Sequence, residues 1–331
     1  MANSSKNSVL AAIGGNFFLM VAKFTAFSFS GSGAMLSEGI HSLADVLNQT
    51  LLLVGIQRAA KEADGRYAYG YAREVYIWAL ISAVGIFFLG CGVTLYHGFE
   101  SLLHPPKELS DVTFAIGVLI LSLVVEGAVL FIAYSNLKTN AGDTPFWEYL
   151  TTRADPSGVA VLLEDAAACI GVIIALAGLA LTHITGNVLW DAIATLMIGL
   201  LLGGVATWLI IRNHAILVGP SIPEEVQARV RAIIRSRDTV ESIQELKTVM
   251  LDGRTYDIMA DIEFHGDVVA KQLAPKLEAA YPQIKSIEDF REFAAQYADD
   301  VIHALGDEID ALEADIRNQI PEAKFLDIEA N

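Results

Sequence analysis

His41 and Asp45 stand one helical turn apart inside an apolar run long enough to cross a bilayer. At about 100° per residue, Glu38, His41, Asp45 and Asn48 fall on one stripe of a helix. An ionisable group in lipid is costly unless it meets a partner or water, so such a stripe points to a site. Imidazole and carboxylate suit a borderline divalent metal. A second group lies in the run Val161 to Cys169, where Glu164 and Asp165 are adjacent. Neighbouring residues diverge by about 100°, so Asp165 is assigned to the site and Glu164 beside it or on a proton path. Glu126, within Leu121 to Gly127, is a third acid in an apolar run, open either to metal ligation or to pairing with Lys23. The candidate metal ligands are therefore His41, Asp45 and Asp165, with Glu164, Asn48 and Glu126 as further members.

Six apolar stretches could position these groups, at 9–29, 34–57, 75–98, 112–136, 157–181 and 186–211, each near the ~20 residues that one span needs. Lys6, Arg58, Lys61, Arg66, Arg73, Lys138, Arg153 and Arg212 fall on one side of the resulting bundle, and Lys107 on the other. The positive-inside rule then puts both termini in the cytoplasm. Trp147, Phe146 and Tyr149 suit an interfacial anchor, and Asp191 a cap at the start of the sixth span.

After Arg212 the pattern changes. Ser221-Ile222-Pro223-Glu224 predicts a helix opened by a capping box, 243–251 a strand, and Asp252-Gly253 a hairpin turn. Ile258, Ala260, Ile262 and Phe264 alternate with acids and Met259, which predicts a half-buried strand. An apolar stripe from Phe290 to Ile316 predicts a long helix, and 325–329 a third strand. The expected fold is an α-helical membrane protein: a six-helix transmembrane bundle (1–212) followed by a small α+β (αββαβ) cytoplasmic domain (213–331).

Composition agrees with that outline. Of 331 residues, 53% are hydrophobic and 18% charged, as a membrane bundle requires. Residues 213–331 hold 24 Asp and Glu against 12 Lys and Arg, an acidic tail that excludes nucleic acid as a partner. Cys91 and Cys169 both lie in apolar runs and imply no disulfide framework. The chain carries no H-E-x-x-H, no G-x-x-x-x-G-K-[ST] and no Cys-x-x-Cys. An intramembrane protease, an ATP-driven pump and a soft-metal site are therefore unsupported, and the chain is not expected to be an enzyme. The short stretch before the first apolar run suggests a bacterial cytoplasmic membrane, with a mitochondrial or other organelle membrane as the alternative.

These residues resemble the cation diffusion facilitators, within them the zinc transporter 9-like proteins. The likeness rests on Ser37-Glu38-x-Ile40-His41-Ser42-Leu43-x-Asp45-x-x-Asn48-Gln49, Tyr67 to Glu74, Tyr96-His97-Gly98, Leu162-Leu163-Glu164-Asp165-x-Ala167-Ala168 and Ile184-Thr185-Gly186-Asn187. The resemblance implies a homodimer that exports a divalent metal, Zn2+ foremost, in exchange for protons. The metal would be a transported substrate, and no cofactor is implied. Mn2+, Fe2+ or Co2+ is the alternative cargo, and a membrane-anchored metal sensor or adaptor acting through its tail is the alternative of another class. Most members carry His or Asp one turn before the fifth-span Asp, where this chain has Val161. The fourth ligand is then Glu164, Asn48, Glu126 or water.

Overall fold

A computed structural model describes residues 2–105, 109, 112–142, 144–152, 156–252 and 255–331. Lys107, Arg153 and Gly253, named above, lie outside them. The chain divides into two compact units, Met1–Leu217 and Val218–Asn331.

The first unit is helical. It comprises α1 (Ala2–Ser30), α2 (Gly33–Ala59), α3 (Glu74–Gly85), α4 (Thr94–Leu103), α5 (Val112–Ala141), α6 (Phe146–Thr152), α7 (Pro156–Thr185) and α8 (Leu189–Val218). Five helices among the described residues are long and apolar enough to cross a membrane: Gly33–Ala59, Glu74–Leu103, Val112–Ala141, Val161–Thr185 and Leu189–Val218. The stretch expected as the first span lies in α1. The last helix runs on to Val218, past the boundary expected at Arg212.

Small residues let these helices approach. Ala26, Ala34, Ala115, Ala175 and Ala194 share a buried cluster with Met35, Leu119, Leu179 and Ile198. A methyl group added at Gly199 would lie 2.8 Å from Leu95, and one at Gly203 2.8 Å from Cys91 Sγ. Without a hydrophobic driving force in lipid, such close contact supplies the dispersion that holds helices together. The third expected span is not a uniform α-helix: Ile86–Val93, between α3 and α4, is wound as π-helix. Apolar length, on which the expected span at 75–98 rests, does not report winding.

The second unit holds α9 (Glu224–Arg235), β1 (Val240–Asp252), β2 (Thr255–Phe264), α10 (Gly266–Gln272), α11 (Ala274–Ala280), α12 (Ile287–Gln319) and β3 (Ala323–Ala330). β1 pairs antiparallel with β2, placing Leu246 opposite Ala260. β3 runs parallel to β2 on its other side, with Ile258 beside Leu326. Ile258, Ala260 and Ile262 turn inward onto Val230, Ile233 and Ile234 of α9 and Leu312 and Ile316 of α12. The alternation in β2 thus marks the buried face, as expected.

Two details differ from expectation. α10 and α11 add to the αββαβ order; α11 buries no residue, so it leaves no apolar stripe to read. No side chain caps α9 either, since Pro223 itself occupies the cap position and Ser221 lies outside it. A capping box forms instead at α12, where Ser286 Oγ accepts from the Asp289 N–H at 3.1 Å and Asp289 accepts from the Ser286 N–H at 2.8 Å.

Candidate metal centre

The start of α2 is fixed by a residue far along the chain. The Asp191 carboxylate, buried at the head of α8, accepts from Ser32 Oγ and from the backbone N–H groups of Gly33 (2.7 Å) and Ala34 (3.4 Å). Helix N-termini carry unpaired N–H groups and partial positive charge, so an anion there is doubly favoured. Asp191 therefore caps α2 rather than only its own helix, as the sequence had suggested.

From that anchor α2 carries its polar stripe into the bundle. His41 is 6% exposed, and its Nε2 lies 3.7 Å from Asp45 Oδ2. Among the described residues, neither ring nitrogen of His41 has a hydrogen-bond partner. A buried imidazole without partners is uncommon, because an unmet polar atom costs about 1–3 kcal/mol. On α7, Asp165 Oδ2 is likewise buried and unpartnered. Asp45 lies within electrostatic reach of His41, and Asp165 of both Asp45 and His41.

The three nevertheless do not converge. No three His, Cys, Asp or Glu side chains among the described residues gather closely enough to hold one ion. Asp45 and Asp165 are like charges in a poorly screening medium and repel unless a cation is shared between them.

The further candidates have other partners. Asn48 Nδ2 donates to both oxygens of Glu164, at 3.1 and 2.9 Å, so two of the proposed fourth ligands hold each other. They line a cavity of about 80 Å³ with Tyr76, Val161, Arg212 and Asn213. Val161 gives that cavity an apolar wall where the family pattern would put a ligand. Glu126 Oε1 lies 2.8 Å from Lys23 Nζ. Of the two accounts open for Glu126, the structure shows the ion pair with Lys23. The sequence reading missed that Lys23 also binds Glu38, at 2.8 Å. The signal was present, since Glu38 sits on the His41 stripe and Lys23 is mid-helix, but sequence does not show which helices are neighbours.

A model of the cation efflux transmembrane domain matches residues 9–218. The chain belongs to the cation diffusion facilitators. Members of this family are membrane metal transporters, not enzymes, and the chain is accordingly a multi-pass membrane protein. Over 322 residues it is 37% identical to a Xenopus laevis protein named proton-coupled zinc antiporter SLC30A9, mitochondrial, covering 95% of this chain and 57% of the relative. The Homo sapiens protein of that name is 38% identical over 315 residues, 93% of this chain and 55% of the relative. Metal tolerance protein C4 of Arabidopsis thaliana is 33% identical over 343 residues, 99% of this chain and 74% of the relative. The chain thus spans little more than half the length of the two animal relatives. Their names place those proteins in mitochondria, which runs against the bacterial membrane expected above. Because so much of their length lies outside the match, the short leading stretch is no guide to compartment.

Proposed function

We propose that this chain is a zinc/proton antiporter that exports Zn2+ from the cytoplasm by alternating access. In this reading it works as a six-span homodimer with both termini cytoplasmic, residues 1–212 carrying transport and the acidic domain, 213–331, facing the cytoplasm. The ligands are His41, Asp45 and Asp165. The observation that carries the reading is His41, buried in an apolar helix beside Asp45 with both ring nitrogens unpartnered. The names of the SLC30A9 relatives support both the metal and the coupling ion.

Metal binds an imidazole only when it is neutral and a carboxylate only when it is ionised. Protons and zinc therefore compete for the same atoms. An ordinary histidine titrates near pH ~6.5, within reach of a membrane proton gradient. Closing α7 toward α2 would bring Asp165 to the ion that His41 and Asp45 hold, and protonation of the three would release it. The Asn48–Glu164 pair, beside a cavity that Arg212 and Asn213 also line, stands on the cytoplasmic approach to that site.

The test is zinc uptake by vesicles containing the purified protein under an imposed pH gradient. Asp45→Ala and Asp165→Ala each abolish uptake while the protein stays folded. Uptake that survives both substitutions refutes the site. Competition by Mn2+, Fe2+ and Co2+ in the same assay fixes the cargo, since a carboxylate-rich site with one imidazole also accepts those ions.

A further inference from the structure

Among the described residues, a fully buried charge lies outside the three ligands. Lys23 is fully buried, and its Nζ lies 2.8 Å from Glu38 on α2 and 2.8 Å from Glu126 on α5. One ammonium thus joins three helices. Each carboxylate keeps a second oxygen, Glu38 Oε1 and Glu126 Oε2, that is buried and has no partner among the described residues. Glu38 stands one turn from His41 on the same stripe. Its free oxygen faces α7, where a methyl group added at Gly171 would come within 2.6 Å of it. The second ligand helix therefore carries a glycine where Glu38 needs room. Glu126, in turn, is within electrostatic reach of Asp45 and Asp165.

Two carboxylates so close to the ion path would hold a divalent cation strongly. A transporter must bind well enough to load and weakly enough to release, so extra anionic ligands would slow turnover. We propose that Lys23 is a positioning and charge-setting residue of the transport site. It engages Glu38 and Glu126 in a closed triad and keeps both carboxylates out of the metal's coordination, leaving His41, Asp45 and Asp165 to exchange the ion. This rests on the antiporter reading above. It differs from a purely structural tie in what happens when the charge alone is removed. A purely structural tie would lose stability alone; a charge-setting residue also alters how tightly the metal is held.

Zinc uptake kinetics in vesicles separate the two, with monodisperse protein as the criterion of folding. In Lys23→Met, KM for zinc falls about tenfold and kcat falls about tenfold, because the released carboxylates retain the ion. In Lys23→Met/Glu126→Gln the triad regains its original net charge, and both constants return to within about threefold of the parent. Unchanged constants in the single variant, or equal impairment in the double, overturn the proposal. Should Lys23→Met fail to fold, Glu38→Gln reads the opposite sign: the triad's net charge rises from −1 to 0, its attraction for zinc weakens and KM rises about tenfold, and an unchanged KM overturns the proposal. Asp45→Ala reports on the site independently. If it still transports, the antiporter site is wrong whatever the Lys23 variants do.

Discussion

The same arrangement, one cation holding two acids, is built twice among the described residues and in two different media. In the helical unit Lys23 joins Glu38 and Glu126 with nothing exposed but a fraction of Glu126. In the tail Arg237 joins Glu308 at 3.1 Å and Asp315, and Glu308 also accepts from Thr239 at 2.9 Å, with Arg237 27% and Asp315 46% exposed. Water screens the second and not the first. The Arg237 cluster is a modest tie between the α9–β1 turn and α12, whereas breaking the Lys23 triad strands uncompensated charge in lipid. Residue type alone therefore says little. Surroundings decide whether a charge fixes a surface or constrains an ion path.

The sharpest test of the contrast compares Lys23→Ala with Arg237→Ala in thermal unfolding. The first is expected to cost about 3–5 kcal/mol, the range for removing one partner of a buried pair. The second is expected to cost about 1 kcal/mol, and molar salt erases most of it while leaving the Lys23 effect in place. Equal costs would collapse the distinction.

Asp191→Ala comes between them. It strips the cap from α2 and leaves the Ser32 hydroxyl and two backbone N–H groups buried, at a cost of about 2–3 kcal/mol. Hydrogen exchange at the N–H groups of Gly33 and Ala34 should quicken before any other part of α2 loosens.

The smallest effect is a pH dependence at the α12 capping box. The Asp289 carboxyl is held below its ordinary 3.8 by the N–H of Lys285, then by the Ser286 hydroxyl and N–H. A depressed carboxylate stabilises the fold above its ordinary value, and that contribution is lost as pH falls through the lowered one. As pH falls below that ordinary 3.8, exchange at Ile287 to Phe290 should accelerate, and Asp289→Asn should flatten this response.

Much of this was legible in the sequence, for a physical reason in each case. His41, Asp45 and Asn48 could be placed on one stripe because α-helical periodicity is local. The buried face of β2 followed from strict alternation. Contacts between distant segments were not legible: Asp191 capping α2, Lys23 reaching Glu38, and Gly171 making room for Glu38 all depend on which helices pack together. The separation of Asp165 from His41 and Asp45 was equally hidden. Spacing along one helix does not report the distance to another.

The most direct measurement is anomalous scattering at the zinc edge from crystals grown with Zn2+. The account predicts one strong peak between α2 and α7, about 2.0–2.2 Å from His41, Asp45 and Asp165, with Lys23 still on Glu38 and Glu126. A peak on Glu164 and Asn48 instead, or none in the helical unit while transport persists, would contradict it.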